Sequence, residues 1–136
     1  MIRVVLDTNI IVSALLQPLG PPAEVLLLAL GTSLQMCISG DIFAEYEEVI
    51  RRPRFRLPEE TLATAMETIR AKALWVRPVQ TVQVCSDPDD NIFLECAQAA
   101  RAAYLVTGNL RHFPPAWQGT EVVTPRQIME IVLRSD

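Results

Sequence analysis

Residues 1–9 read MIRVVLDTN, a β-branched run from Ile2 to Leu6 that breaks at Asp7-Thr8-Asn9. A run of this length and composition predicts a buried strand ending in a polar turn. Outward from it the chain alternates. Ile10 to Leu16 reads as a helix stopped by Pro18, Gly20, Pro21 and Pro22, and the last two prolines suit the first turn of a helix to Leu30, with Gly31 as its stop. Leu34 to Ile38 predicts a second strand. Gly40-Asp41 opens a helix through about Arg52, closed by Pro53, and Leu57-Pro58-Glu59-Glu60 starts another that continues to about Ala73. A third strand falls on Trp75-Val76 or on Val82 to Cys85, and periodicity does not choose between them. Asp87 to Ala102 predicts a helix with apolar positions at Ile92, Cys96, Ala99, Ala100 and Ala103. Tyr104 to Val106 and Glu121 to Val123 supply a fourth and a fifth strand, and Pro125 to Leu133 a final helix. This alternation predicts one α/β domain over residues 1–136, with a mainly parallel five-stranded sheet covered on both faces in three α/β/α layers.

The 136 residues are 50% apolar and 21% charged, which suits one core and excludes a disordered or low-complexity chain. Cys37, Cys85 and Cys96 are widely spaced without a CxxC pair, so they read as buried thiols in a reducing compartment rather than a zinc or redox site. The longest greasy stretch, Val25 to Leu30, is far short of the ~18 residues of a membrane helix, and the N-terminus lacks a signal-peptide pattern. A cytoplasmic protein away from the membrane is the expectation. The net charge of −4 argues against nucleic acid as a partner.

In open α/β sheets, sites gather outside the carboxyl ends of the strands, where strand order reverses. Asp7 follows the first strand directly, and Asn109 stands in the equivalent turn after the fourth, Thr107-Gly108-Asn109. Asp7 reads either as a cap for the next helix or as an active carboxylate. The helix from Asp41 carries Asp41, Glu45, Glu47 and Glu48 around an apolar stripe of Ile42, Tyr46, Val49 and Ile50. Glu45 sits at the edge of that stripe, the one of the four placed to reach a cleft. Ser86-Asp87-Pro88-Asp89-Asp90-Asn91 is the densest acidic segment. Asp87 reads chiefly as a cap, Asp89 as solvent-facing and Asp90 as the better ligand. No Ser–His–Asp or Cys–His set can be assembled, His112 reads as a loop residue, and Gly108 stands alone without a phosphate-cradling loop. What remains is a set of oxygen donors, Asp7, Glu45, Asp90 and Asn109, with Asp87 in addition. Such a set suits a hard cation, Mg²⁺ or Mn²⁺.

Four segments in order carry a resemblance: Leu6-Asp7-Thr8-Asn9 with Ser13, Ala44 to Ile50 around Glu45 and Tyr46, Asp87 to Asn91, and Val106 to Phe113. Together they resemble the PIN-domain family over essentially the whole chain, and within it the VapC-like toxins of prokaryotic toxin–antitoxin systems. The resemblance implies a ribonuclease dependent on Mg²⁺ or Mn²⁺. By motif match its acidic positions fall on Asp7, Glu45 and Asp90, and its fourth, often Asp, on Asn109. A neutral Asn there holds a second ion more weakly, and Asp87 could compensate as a metal ligand. Thr8 and Thr107 would hydrogen-bond the ligands or the attacking water. The implied partners are an RNA substrate, a cognate antitoxin that inserts a basic side chain, and a second copy in a homodimer.

A haloacid-dehalogenase-like phosphotransferase fits poorly, because Asn9 stands where a second Asp is needed and Lys72 is the only lysine. A non-catalytic PIN-like module that binds RNA or protein is the alternative, with the acidic residues as caps and surface charge. The basic run Arg51, Arg52, Arg54 and Arg56, with Arg111 beside Asn109, offers candidate contacts to RNA phosphates, so the net charge does not exclude RNA.

Overall fold

The computed structural model describes residues 1–135; Asp136, the last residue of the expected domain, lies outside the described residues. Strand β1 (Ile2–Leu6) is followed by helices α1 (Thr8–Leu16) and α2 (Pro21–Ala29), then β2 (Leu34–Ile38), α3 (Gly40–Ile50), α4 (Glu59–Lys72) and β3 (Leu74–Trp75). The second half runs α5 (Asn91–Ala100), β4 (Tyr104–Val106), β5 (Ala116–Trp117), β6 (Thr120–Val123) and α6 (Pro125–Ser135). The α/β class and the mainly parallel sheet agree with the sequence. Helices α2 and α6 pack on β2 and β4, with α1 against α2; α5 packs on β1, β2 and β4, with α3 against it and α4 beyond.

The sheet has six strands, not the five expected, in the order β3-β2-β1-β4-β6-β5. The added strand β5 pairs antiparallel with β6 through Ala116↔Glu121 and Trp117↔Thr120. Its turn, Gln118-Gly119, has positive φ at both residues (48° and 87°), the form that suits a two-residue hairpin. Two residues after Pro114-Pro115 carry no alternation, and Gln is an unusual first turn residue, so the hairpin leaves little trace in the sequence. Of the two sites for the third strand, the structure takes the first, as Leu74–Trp75 on the edge beside β2. Val82 to Cys85 is not a strand because its amides are bound by α5. Glu95 accepts from Val82 N at 3.0 Å, and Asn91 Oδ1 accepts from Val84 N at 3.2 Å and Cys85 N at 3.0 Å.

Helix α5 begins at Asn91, after a 3₁₀ turn over Pro88–Asp90, rather than at Asp87. Its buried face is Phe93, Leu94, Cys96, Ala97 and Ala100, while Ala99 is exposed, so the stripe expected from Ile92 to Ala103 is misphased. A helix lying across three strands buries a broader face than a narrow stripe captures. It ends early because Arg101 turns left-handed (φ 51°) and the Ala102 amide returns to Ala97 O. Among the described residues no single helix is long and apolar enough to cross a membrane; α1 and α2 reach that composition only as a pair bent by 113°.

Strand order reverses between β1 and β4. Their register pairs Leu6 with Val106, so Asp7 and Thr107 leave the sheet side by side. On the other flank, where β2 has no further pairing, the Leu6 carbonyl accepts from the buried Tyr46 hydroxyl of α3. That bond ties the Glu45 helix to the end of β1. Tyr46→Phe leaves the buried carbonyl unpaired and is expected to cost about 1–3 kcal/mol. In urea denaturation the midpoint should fall with an unchanged m-value; a midpoint equal to wild type would show that this bond does not hold the junction.

Candidate functional site

A cleft of about 480 Å³ opens at the β1–β4 reversal, and Asp7, Thr8, Glu45, Asp87, Asp89, Asp90, Asn109 and His112 line it together with Arg52 and Arg54. The position is where α/β sheets place ligands. Residues from four separate parts of the chain thus converge.

Each carboxylate is held differently. Asp7 is buried, 6% exposed, at the cap position of α1, but its side chain makes no capping bond. Instead Asp7 Oδ2 accepts from Thr107 Oγ1 at 2.8 Å. Thr107 Oγ1 in turn accepts from Asn109 N at 2.9 Å, and Asp7 N donates to Val106 O at 2.9 Å. Burial pushes the Asp7 carboxyl up, while the Thr107 hydroxyl, the Thr8 amide and His112 pull it part-way back. Glu45 Oε2 accepts from Thr8 Oγ1. Its carboxyl is also raised, by burial first, against that hydrogen bond, with repulsion from Asp7 and Asp89 adding to the rise. Thr8 and Thr107 therefore each clamp one acid.

Asp90 has no such clamp. Its Oδ2 is buried without a hydrogen-bond partner among the described residues, and the His112 ring, with Nδ1 3.7 Å away, stands beyond hydrogen-bond reach. Burial, followed by repulsion from Asp7 and Asp87, lifts its carboxyl to about 6. Asp87 is exposed and accepts from Asp89 N at 3.0 Å, the capping role expected for it, and it also faces the cleft. Asp89, expected to face solvent, is exposed but lines the cleft too.

The donor chemistry fits a hard cation. Three raised carboxylates, an orphaned buried oxygen and the neutral oxygen of Asn109 share one concavity. Among the described residues, though, no three His, Cys, Asp or Glu side chains stand as a closed ligand cluster.

The arginines divide. Arg52 lines the cleft but is forked onto Glu48, with Nη2 to Oε2 at 2.9 Å. Arg51 does not line it: its guanidinium is taken by Glu59 at 2.9 Å and Glu47 at 3.4 Å, towards α4. Arg111 borders a neighbouring depression with Gly108, Asn109, Leu110, His112 and Thr124. Sequence reading missed His112, which it took for a plain loop residue, and Asn91, whose side chain holds the amides of Val84 and Cys85 just before the acidic segment. No local pattern marks either, since both roles depend on contacts formed by the turn after β4 and the segment before α5.

The family model for the PIN domain matches residues 3–111. An uncharacterized protein of Methanocaldococcus jannaschii is 29% identical over 111 residues, 79% of this chain and 71% of that one. Among solved structures, VapBC2 from Rickettsia felis bound to a DNA fragment from their promoter is similar in fold, with a TM-score of 0.62 and 16% identity over 90% of this chain and 98% of that one.

A carboxyl raised in the folded state binds its proton more tightly there than in the unfolded chain. Stability is therefore lost as pH rises from the ordinary 3.8 through about 6, and the loss is complete above that window. Asp90→Asn should raise the melting temperature of the metal-free protein at pH 7.5. A relief of about 1 kcal/mol, discounted because the group is partly open to solvent, corresponds to roughly 3–6 °C. The gain should vanish near pH 4; equal melting temperatures at pH 7.5 would show that Asp90 is not under repulsion.

Proposed function

The chain belongs to the PIN-domain family, and on that premise we propose that its acidic cleft hydrolyses RNA phosphodiester bonds with Mg²⁺ or Mn²⁺, as the toxin of a toxin–antitoxin pair. The observation that carries this reading is the convergence of Asp7, Glu45 and Asp90 on one cleft, with Asp90 Oδ2 left without a partner among the described residues. Asp7, Glu45 and Asp90 would hold the ion, with Asp87 as a further ligand from the rim and Asn109 as a neutral oxygen donor. The ion, when bound, supplies water activation and neutralises charge on the phosphate.

The remaining parts are the chain's own. Thr107 fixes the rotamer of Asp7, and Thr8 orients the Glu45 carboxylate beside it. Arg52 and Arg111 are candidate contacts for backbone phosphates, each at the rim of the cleft or the adjoining depression. Arg51, engaged by Glu47 and Glu59, would first have to leave them. No covalent bond between enzyme and substrate is invoked.

The acidic cleft also suits the basic side chain of an inhibiting antitoxin, a reading supported by the likeness in fold to VapBC2 from Rickettsia felis. A single cytoplasmic domain acting as a homodimer completes the proposal. The non-catalytic binding module is favoured by one observation, the lack of a closed ligand cluster among the described residues.

Cleavage decides between them. The purified protein should cut single-stranded RNA with Mg²⁺ or Mn²⁺ and stop in EDTA. Asp7→Asn should lower the rate on the order of 100-fold or more, the scale of several kcal/mol of charge stabilisation. Equal nuclease activity in that variant would trace the cutting to a contaminant and favour the binding module.

A further inference from the structure

Beyond the acids, the cleft is lined by the turn that joins α3 to α4, which contributes Arg52, Arg54 and Phe55. The arginines of this region are mostly spent on neighbours. Arg51 pairs with Glu47 and Glu59, Arg52 with Glu48, and Arg70 with Glu67. Arg54 makes neither an ion pair nor a hydrogen bond among the described residues. Its guanidinium lies instead over the Phe55 ring, 4.8 Å from the centroid.

The turn is built to hold still. Pro53 starts it, Phe55 N donates to Arg52 O at 3.1 Å, and Arg56 N donates to Pro53 O at 3.1 Å. Arg56 closes it in the left-handed region (φ 53°), a conformation that a long side chain adopts only under constraint from its surroundings. The cleft wall therefore carries a planar cation resting on an aromatic ring, with Val49 and Val12 as the adjoining apolar lining.

We propose that Arg54 and Phe55 form a platform on which one unpaired nucleobase of the bound RNA stacks. Every base has a π-face, and both a guanidinium plane and a phenyl ring accept one. With the acids of the same cleft neutralised by a cation, the backbone phosphate lies over them, and the base is left to turn towards Arg54 and Phe55. A base held in a duplex cannot splay out to reach the platform, and the site selects unpaired RNA. This inference rests on RNA as the cleft's ligand, and its test is one of binding so that it stands apart from catalysis.

The probe is a fluorescein-labelled 2′-O-methyl oligonucleotide of about 12 nucleotides, compared by anisotropy with an abasic oligomer of the same length. The full-length protein and its Arg54→Lys and Phe55→Leu variants are measured at one salt concentration, with folding checked by thermal melting. Wild type should bind the base-bearing oligomer about 5- to 100-fold more tightly than the abasic one, the range of one stacked base. In Arg54→Lys, which keeps the charge and loses the plane, the ratio should fall while abasic affinity is retained. Phe55→Leu should lower the ratio as well. A fall in either folded variant supports the platform. A wild-type ratio near one, no binding, or a ratio unchanged in both variants overturns it. RNA cleavage retained alongside a ratio near one removes the platform alone; base preference without cleavage removes the catalytic reading alone.

Discussion

A carboxylate buried at the end of a central strand loses most of its hydration and depends on protein groups to hold it. Asp7 is that group, and the bonds around it organise the site. The parallel register of β1 with β4 sets Thr107 beside it, and the Thr107 hydroxyl donates to Asp7 while accepting the Asn109 amide. Tyr46, on the other flank, caps the Leu6 carbonyl and so fixes α3, whose previous residue is Glu45. Glu45 then meets Thr8, the residue after Asp7. One strand end thus places two acids, two threonines and the turn bearing Asn109.

The price of this arrangement is electrostatic. Burial raises Asp7, Glu45 and Asp90, repulsion from neighbouring carboxylates raises the last two further, and the buried oxygen of Asp90 has no hydrogen bond among the described residues. Folds tolerate such clusters where a ligand relieves them, since sites for charged partners are assembled at the expense of the empty state. The overall charge of −4 is accordingly uneven. Acids gather in the lining of the cleft, while the arginines beside it are mostly neutralised in pairs with Glu47, Glu48 and Glu59.

Much of this was legible in residue order. Four strands and most helices follow from β-branched runs and proline punctuation; Asp7 stands out because it interrupts an apolar run, Glu45 because it edges an apolar stripe, and Asp90 because it lies in the densest acidic segment. What was hidden depends on distant pairing. The β5–β6 hairpin is too short for alternation, and β3 contributes two residues. Val82 to Cys85 carries a strand-like composition but gives its amides to Asn91 and Glu95, side chains further along the chain. Within the site, spacing marks acids but not their clamps. The facing of His112 to Asp90, the engagement of Arg51 by Glu59, and the packing of Arg54 on Phe55 are fixed only once the turns after α3 and β4 are folded.

The central claim is that Asp7, Glu45 and Asp90 are a cation site rather than caps and surface charge. Anomalous diffraction from a crystal soaked in Mn²⁺ tests it most directly. A peak between the carboxylates of Asp7 and Asp90, within bonding distance of both and drawing Glu45 towards it, is the expected result. A map without density there, or with Mn²⁺ bound only at exposed acids such as Glu59 or Glu67, would contradict it.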